Sequence, residues 1–306
     1  MSNKQLILLA TILASISLYL RNIFEIKNLK KRSILLATHN KNILLDSEKI
    51  KEYKEKLNSN LTLEHQNKTI FEQLKLFEKE YTKEELLIMR NNLQNLIVDC
   101  EGSFFLSGSY NVEKNKISLN PLHNYNSPEY KNTLNHEMHH MATGLRIDDY
   151  IICGFEQLKI RNRISHIGKG LNEGYTEYLS KNILKKEKYP YKKNVDLIPL
   201  IELFYDNKLE LRKSYFNADL PSVIKKFSEI TDRNSAIELI KDIDKLFFYD
   251  SNRTWFDKSE ELEIDIRIKL YNLYKKLSGY SNKEELFFDN SMLEKIYRKK
   301  LNKKFN

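Results

Sequence analysis

The segment Asn135-His136-Glu137-Met138-His139-His140 places two histidines four residues apart, with a glutamate directly after the first. On an α-helix that spacing puts both imidazoles on one face, one turn apart. There they can reach a single zinc ion at about 2.0–2.1 Å. Glu137 points to the side of the pair, where it can take a proton from a zinc-bound water and pass it to a leaving amine. Zinc lowers the pKa of such a water to about 7, so a hydroxide-like nucleophile exists at neutral pH. A catalytic zinc of this kind also needs a third protein ligand and an open fourth position.

The segment Leu171-Asn172-Glu173-Gly174-Tyr175-Thr176-Glu177 offers that third ligand. Glu173 and Glu177 are four apart and share a helix face. One of them can bind the metal while the other accepts the N–H of a ligating imidazole. A solvated acidic face is the bland alternative for such a pair, and its position some thirty residues after H-E-x-x-H argues against that alternative.

Together, His136-Glu137-x-x-His140 and Asn172-Glu173-x-x-Thr176-Glu177 resemble the gluzincin metallopeptidases, the thermolysin-like group. The resemblance covers about residues 104 to 186 and is specific at these two motifs. It implies Glu173 as the third zinc ligand, Glu137 as the general base, and Glu177 as the acid that hydrogen-bonds a zinc-binding histidine. Glu177 stands where the group more commonly has Asp. The resemblance also implies an edge strand upstream of the active-site helix that aligns a peptide substrate, for which Gly108 to Val112 or Lys116 to Asn120 are the candidates.

The remaining chemistry-bearing residues read as bystanders. His139 lies about 60° off the face shared by His136 and His140 and is expected outside the zinc site. His166 just precedes the second motif and could stabilise an oxyanion, but a surface position is the simpler expectation. Tyr175 and Tyr178 flank the glutamate pair and read as packing residues in a chain with eighteen tyrosines.

The elements that must hold the two motifs are legible in part. Ser127-Pro128-Glu129 is a helix start: a good N-cap, proline at the first helical position, and an acid at the positive end. Tyr130, Leu134, Met138, Met141 and Leu145 form the apolar stripe, and Gly144 reads as the stop. A second helix is expected from about Leu171 to Lys186. Upstream, residues 104–120 read as a hairpin, with Lys116 to Asn120 alternating polar and apolar. Phe71, Leu74, Phe77 and Tyr81, then Leu86, Met89, Leu93 and Leu96, fall at helical spacing, with Thr82 and Glu85 as a capping box between them. The stretch between the two motif helices reads as irregular, and from Pro190 onward the chain is again helical in pattern.

The chain has 306 residues, 41% hydrophobic and 30% charged, with eight glycines and five prolines. That composition is globular and favours helices over a turn-rich sandwich. The expected fold class is α+β, mainly α: a zincin-like catalytic core with a small antiparallel sheet and additional helices. The regions read as 1–35, an N-terminal anchor or signal; 36–100, helical; 101–190, the catalytic core; and 191–306, a C-terminal helical region. The net charge of +9 is spread along the chain, and no nucleic-acid-binding pattern accompanies it, so no nucleic acid is expected. Cys100 and Cys153 could form one disulfide or remain two buried thiols.

Residues 6–20, LILLATILASISLYL, carry no charge. They read as an uncleaved membrane anchor, since no small-x-small cleavage site follows. The basic residues after the run favour a cytoplasmic side, whereas an anchored enzyme more usually faces outward. The outer side is expected, with secretion as the alternative. The resulting expectation is a zinc metallopeptidase acting on a peptide or protein substrate. The competing reading is a membrane-tethered helical interaction protein with an accidental or vestigial H-E-x-x-H.

Overall fold

The computed structural model describes residues 64–93, 95–99, 107–120, 127–160, 165–251, 256–279 and 283–296. The apolar run 6–20, Cys100 and the first residues of the expected hairpin lie outside them. Among the described residues no helix is long and apolar enough to cross a membrane. That corrects the expectation of a membrane-anchored protein: most apolar residues of the described helices are packed into the core, and none of these helices presents a membrane-spanning apolar length.

The chain begins with two helices, α1 (Glu64–Glu80) and α2 (Lys83–Leu93). The turn between them is the expected capping box. Thr82 N–H donates to Glu85 Oε2 at 2.8 Å, and Glu85 N–H donates to Thr82 Oγ1 at 3.3 Å. Arg212 then clamps the same carboxylate through Nε and Nη2, at 2.6 and 3.0 Å. Leu74, Phe77, Tyr81 and Met89 are buried as their spacing requires.

A three-stranded sheet follows: β1 (Ile97–Asp99), β2 (Gly108–Asn111) and β3 (Lys116–Leu119), in the order β1-β3-β2. β2 and β3 form the expected antiparallel hairpin, Gly108 opposite Leu119. β1 adds a parallel strand that the sequence did not announce. The sheet lies against α3 (Pro128–Thr143), the first motif helix. Ser127 caps α3, its hydroxyl accepting from Tyr130 N–H at 3.1 Å. The contact is tight at Gly108, where a Cβ would meet Thr133 Cγ2 at 2.5 Å and Glu137 Cγ at 3.2 Å. Only a glycine lets the strand pass beside Glu137 at that separation.

Between the motif helices the sequence reads as irregular, but the structure contains a four-stranded antiparallel meander. It comprises β4 (Leu145–Ile147), β5 (Tyr150–Cys153), β6 (Glu156–Lys159) and β7 (Ser165–Ile167), in chain order. The strands are three or four residues long, too short for a clear period-two pattern. Their register leaves two-residue turns at Asp148-Asp149 and Gly154-Phe155, with Asp148 and Gly154 both at φ 51°. Those turn residues were the available signal.

The second motif helix is α4 (Lys169–Leu184). Its N-cap, Gly168, is left-handed and has no side chain to offer. Asp244 supplies the cap from a distance, accepting from Gly168 N–H at 2.8 Å and Gly170 N–H at 2.7 Å. Asp244 sits on α8 (Arg233–Asp250), preceded by α5 (Lys192–Glu202), α6 (Lys208–Phe216) and α7 (Leu220–Ser228), and followed by α9 (Phe256–Ser278) and α10 (Glu284–Phe287). One apolar cluster runs from Leu74 to Phe288 and takes in both motif helices. The fold is mainly helical with small sheets, as the composition suggests.

His139 shows how α1 is fastened to α3. It is fully buried, its Nδ1–H donates to Asn135 O at 2.7 Å, and its Nε2 accepts from the Tyr81 hydroxyl. Burial lowers its pKa from the ordinary 6.5 to about 3. The unfolded chain takes up that proton below about pH 6.5, while the folded chain resists until about pH 3. Stability is therefore present above pH 6.5 and is lost as pH falls, at about 1.4 kcal/mol per pH unit between those limits. In urea melts at about pH 7 and about pH 5, His139→Phe should lose less stability on acidification than the parent chain. Equal losses in the two proteins would contradict this assignment.

Candidate metal centre

The helices α3 and α4 face each other, and their polar residues meet in the contact. His136 Nε2 lies 3.1 Å from His140 Nε2, and Glu173 Oε2 lies 3.3 Å from the first and 3.5 Å from the second. All three are buried, and their ligand atoms lie within 4.8 Å of one another. Two imidazole nitrogens and one carboxylate oxygen converging in a buried site form a group that can hold a metal ion. No other such cluster of His, Cys, Asp and Glu occurs among the described residues.

Each ligand candidate is held from behind. His136 Nδ1–H donates to Glu177 Oε2 at 2.8 Å, which leaves Nε2 bare toward the cluster. Glu177 is in turn bound through Oε1 by Lys186 Nζ at 2.9 Å, both side chains being almost fully buried. Lys185, left-handed at the end of α4, turns the chain so that Lys186 can fold back along its own helix. His140 Nδ1 faces Cys153 Sγ and Asn172 Nδ2, each at 3.4 Å. Glu173 Oε1, turned away from the imidazoles, has Lys169 Nζ at 3.9 Å, one helical turn earlier.

Glu137 differs from these neighbours. It is 7% exposed, yet its carboxylate makes no hydrogen bond and no ion pair among the described residues. Burial raises its pKa above the ordinary carboxylate value, with the nearby charges of His136 and His140 opposing. A buried carboxylate with no structural partner is costly to keep and calls for a functional explanation.

His139 points away from the cluster into the core. His166 Nε2 donates to Glu156 Oε1 at 2.5 Å, on the meander, and does not join the cluster. Tyr175 packs its ring against Phe155 and Tyr215, and Tyr178 donates to Glu202 at 3.1 Å. Cys153 is a free, buried thiol.

Several residues at the centre carry no motif. Lys169 precedes Glu173 at i,i+4 spacing, which is legible in sequence. Cys153, Lys186 and Tyr191 reach the centre only through the turns that precede them. Tyr191 begins α5 in a left-handed conformation, φ 55°, with its ring 6.1 Å from that of His136 and 5.0 Å from that of Phe247. Its hydroxyl makes no hydrogen bond among the described residues. A non-glycine residue held at positive φ beside a buried polar cluster fits the clustering of backbone strain at functional sites.

The charges around the ligand atoms balance. Burial works against a charged His136, but Glu173 and Glu177 outweigh it and raise its pKa. Burial likewise opposes a charge on His140, and Cys153 and Glu173 outweigh it, so that its pKa lies well above 6.5. Burial would raise Glu173, but His140 and His136 hold it well below the usual carboxylate range. These shifts favour a proton held in the metal-free cluster, which the 3.1 Å contact between the two Nε2 atoms can share, and a metal must displace it. Calorimetric titration with Zn2+ at about pH 6.5 and about pH 8 should give tighter binding at the higher pH, with proton release that varies the heat between buffers. Binding that is independent of pH would contradict the protonated state of the metal-free cluster.

Compared with known proteins, the chain matches no family model, no curated protein and no solved structure. The case for its function rests on its own residues and their geometry.

Proposed function

We propose that this protein is a zinc-dependent metallopeptidase in which His136, His140 and Glu173 hold the metal and Glu137 is the general base. The observation that supports this most directly is the convergence of two helices, Pro128–Thr143 and Lys169–Leu184, on one buried His-His-Glu group, with a glutamate beside it that has no partner among the described residues. The donor set of two imidazoles and one carboxylate suits zinc in a site that keeps a position open for substrate. Zinc bound there supplies Lewis acidity and an acidified water.

The chain's own residues supply the rest. Glu137, with its pKa raised by burial, is a stronger base than an exposed glutamate and, among the described residues, has no structural partner to give up. It takes the proton of the attacking water and delivers it to the leaving amine. Glu177 fixes the tautomer of His136, and Lys186 fixes Glu177. Lys169 and Tyr191 are the nearby donors whose N–H and O–H groups are not committed to hydrogen bonds, and both lie close enough to Glu137 to feel its charge. They are placed to offset negative charge as it develops on the substrate carbonyl.

Of the two upstream strands, only β2 can align a substrate. β3 is paired on both sides, whereas β2 has a free edge among the described residues and runs past Glu137 at Gly108. An extended peptide added to that edge would carry its scissile bond toward the cluster.

Two substitutions separate the roles. Glu137→Gln should leave zinc bound while lowering hydrolysis of a generic peptide by about 10²–10⁴-fold, because an amide cannot accept the proton. It should also raise the melting temperature of the metal-free chain, since a buried unpaired carboxylate is removed. Wild-type turnover by this variant would sink the assignment. Glu173→Ala should weaken metal binding itself, and Glu177→Ala should cost about 10–100-fold in affinity or activity. Stoichiometric zinc at unchanged affinity in Glu173→Ala would show that the third ligand is another residue.

A further inference from the structure

A zinc-binding histidine ordinarily donates its second ring N–H to a carboxylate, a carbonyl or water. His136 follows that rule through Glu177. His140 faces a different environment, and what it faces can be worked out from the donors and acceptors around it.

Two groups lie within hydrogen-bonding range of His140 Nδ1 among the described residues: the sulfur of Cys153 at 3.4 Å and the amide nitrogen of Asn172 at 3.4 Å. For Nε2 to be bare toward the metal, Nδ1 must carry the proton and needs an acceptor. The Asn172 amide could serve only with its oxygen turned toward the ring. That oxygen is already committed to the backbone N–H of Phe155 at 3.2 Å, while the nitrogen points to Glu156 Oε2 at 3.5 Å. Flipping the amide would set NH2 against N–H at Phe155. The remaining acceptor is sulfur. Cys153 suits the task, because its S–H can donate to His140 O at 3.3 Å while a sulfur lone pair accepts from Nδ1–H.

We infer that Cys153 is the positioning residue for His140: the thiol sulfur accepts the Nδ1–H and so presents Nε2 to the metal. The turn between β5 and β6 makes this arrangement. It holds the sulfur at Cys153, and one residue beyond Gly154 it holds the Phe155 N–H that orients Asn172. Gly154 is required there, since a Cβ would meet Asn172 Oδ1 at 2.2 Å. A short hairpin turn thereby ties a side chain of α3 and one of α4 into the geometry that the metal needs. Sulfur is a weaker acceptor than carboxylate, so His140 is polarised less than His136.

The inference rests on the metal reading above, and its test keeps the two apart. The full chain and its Cys153→Val and Cys153→Ser variants are prepared metal-free. Zn2+ affinity is measured by competition with a chromophoric chelator, and melting temperature is measured with and without Zn2+. Valine keeps the bulk and removes the acceptor; serine keeps an acceptor. Cys153→Val should weaken zinc binding by about 10–100-fold, and by less than Glu177→Ala. Its metal-free melting temperature should stay near the parent value while the rise on adding Zn2+ shrinks. Cys153→Ser should recover part of the affinity. Zinc affinity unchanged in Cys153→Val would overturn the inference and leave the metal site standing. Equal loss in the valine and serine variants, with a matching fall in metal-free stability, would reduce Cys153 to a packing residue and overturn it too. Failure of the parent chain to bind Zn2+ would overturn the metal reading itself.

Discussion

The structure is organised around one difficult contact, the face-to-face burial of charged groups between α3 and α4. His136, Glu137, His140, Glu173, Glu177 and Lys186 all lie in it or directly behind it, largely shielded from water. Each such group, taken singly, would cost several kcal/mol to bury. The contact is tolerable because the charges are arranged in opposition: carboxylates against imidazoles, and an ammonium behind the deepest carboxylate. The shifted pKa values of His136, His140 and Glu173 are the electrostatic record of that arrangement. It is also a geometry in which a divalent cation can take the place of a shared proton.

The surrounding fold holds the two helices at that separation. The three-stranded sheet covers one side of α3 and is able to approach because residue 108 is glycine. On the other side, α1 is fastened by the Tyr81–His139 contact, which uses the one histidine of the motif that stays outside the His-His-Glu group. Asp244 of α8 caps α4, so the C-terminal helices set the position of the helix that carries Glu173. The meander between α3 and α4 links them and, through the turn at Cys153–Phe155, reaches into the centre. Most of these contacts join residues distant in sequence, and none of them would survive in an isolated pair of motif helices.

Within this network Glu137 is the exception. Among the described residues every other charged group in the contact has a partner that explains its burial, whereas Glu137 has only its position beside the His-His-Glu group. Stability and function pull in opposite directions at such a residue. The left-handed backbone of Tyr191 is a second cost located at the same place. Two unfavourable features side by side are consistent with a site shaped by chemistry.

Some of this was decided locally and could be read from the chain. The His136–His140 and Glu173–Glu177 pairs are legible because a helix converts four-residue spacing into a shared face. The starts of α2 and α3 are legible because caps act within three residues, as at Thr82–Glu85 and Ser127–Tyr130. The β2–β3 hairpin shows in the alternation of Lys116 to Asn120. The meander was missed because three-residue strands carry almost no periodicity. The apolar run at 6–20 suggested an anchored protein by length and hydropathy alone, and no described helix is long and apolar enough to support that. What only the tertiary structure decides is which groups stand behind the ligands. Cys153, Lys186, Asp244 and Tyr191 have no fixed spacing to the motifs they serve. Their roles arise from turns, and from helix packing that brings distant backbone together, and a side-chain periodicity carries no information about either.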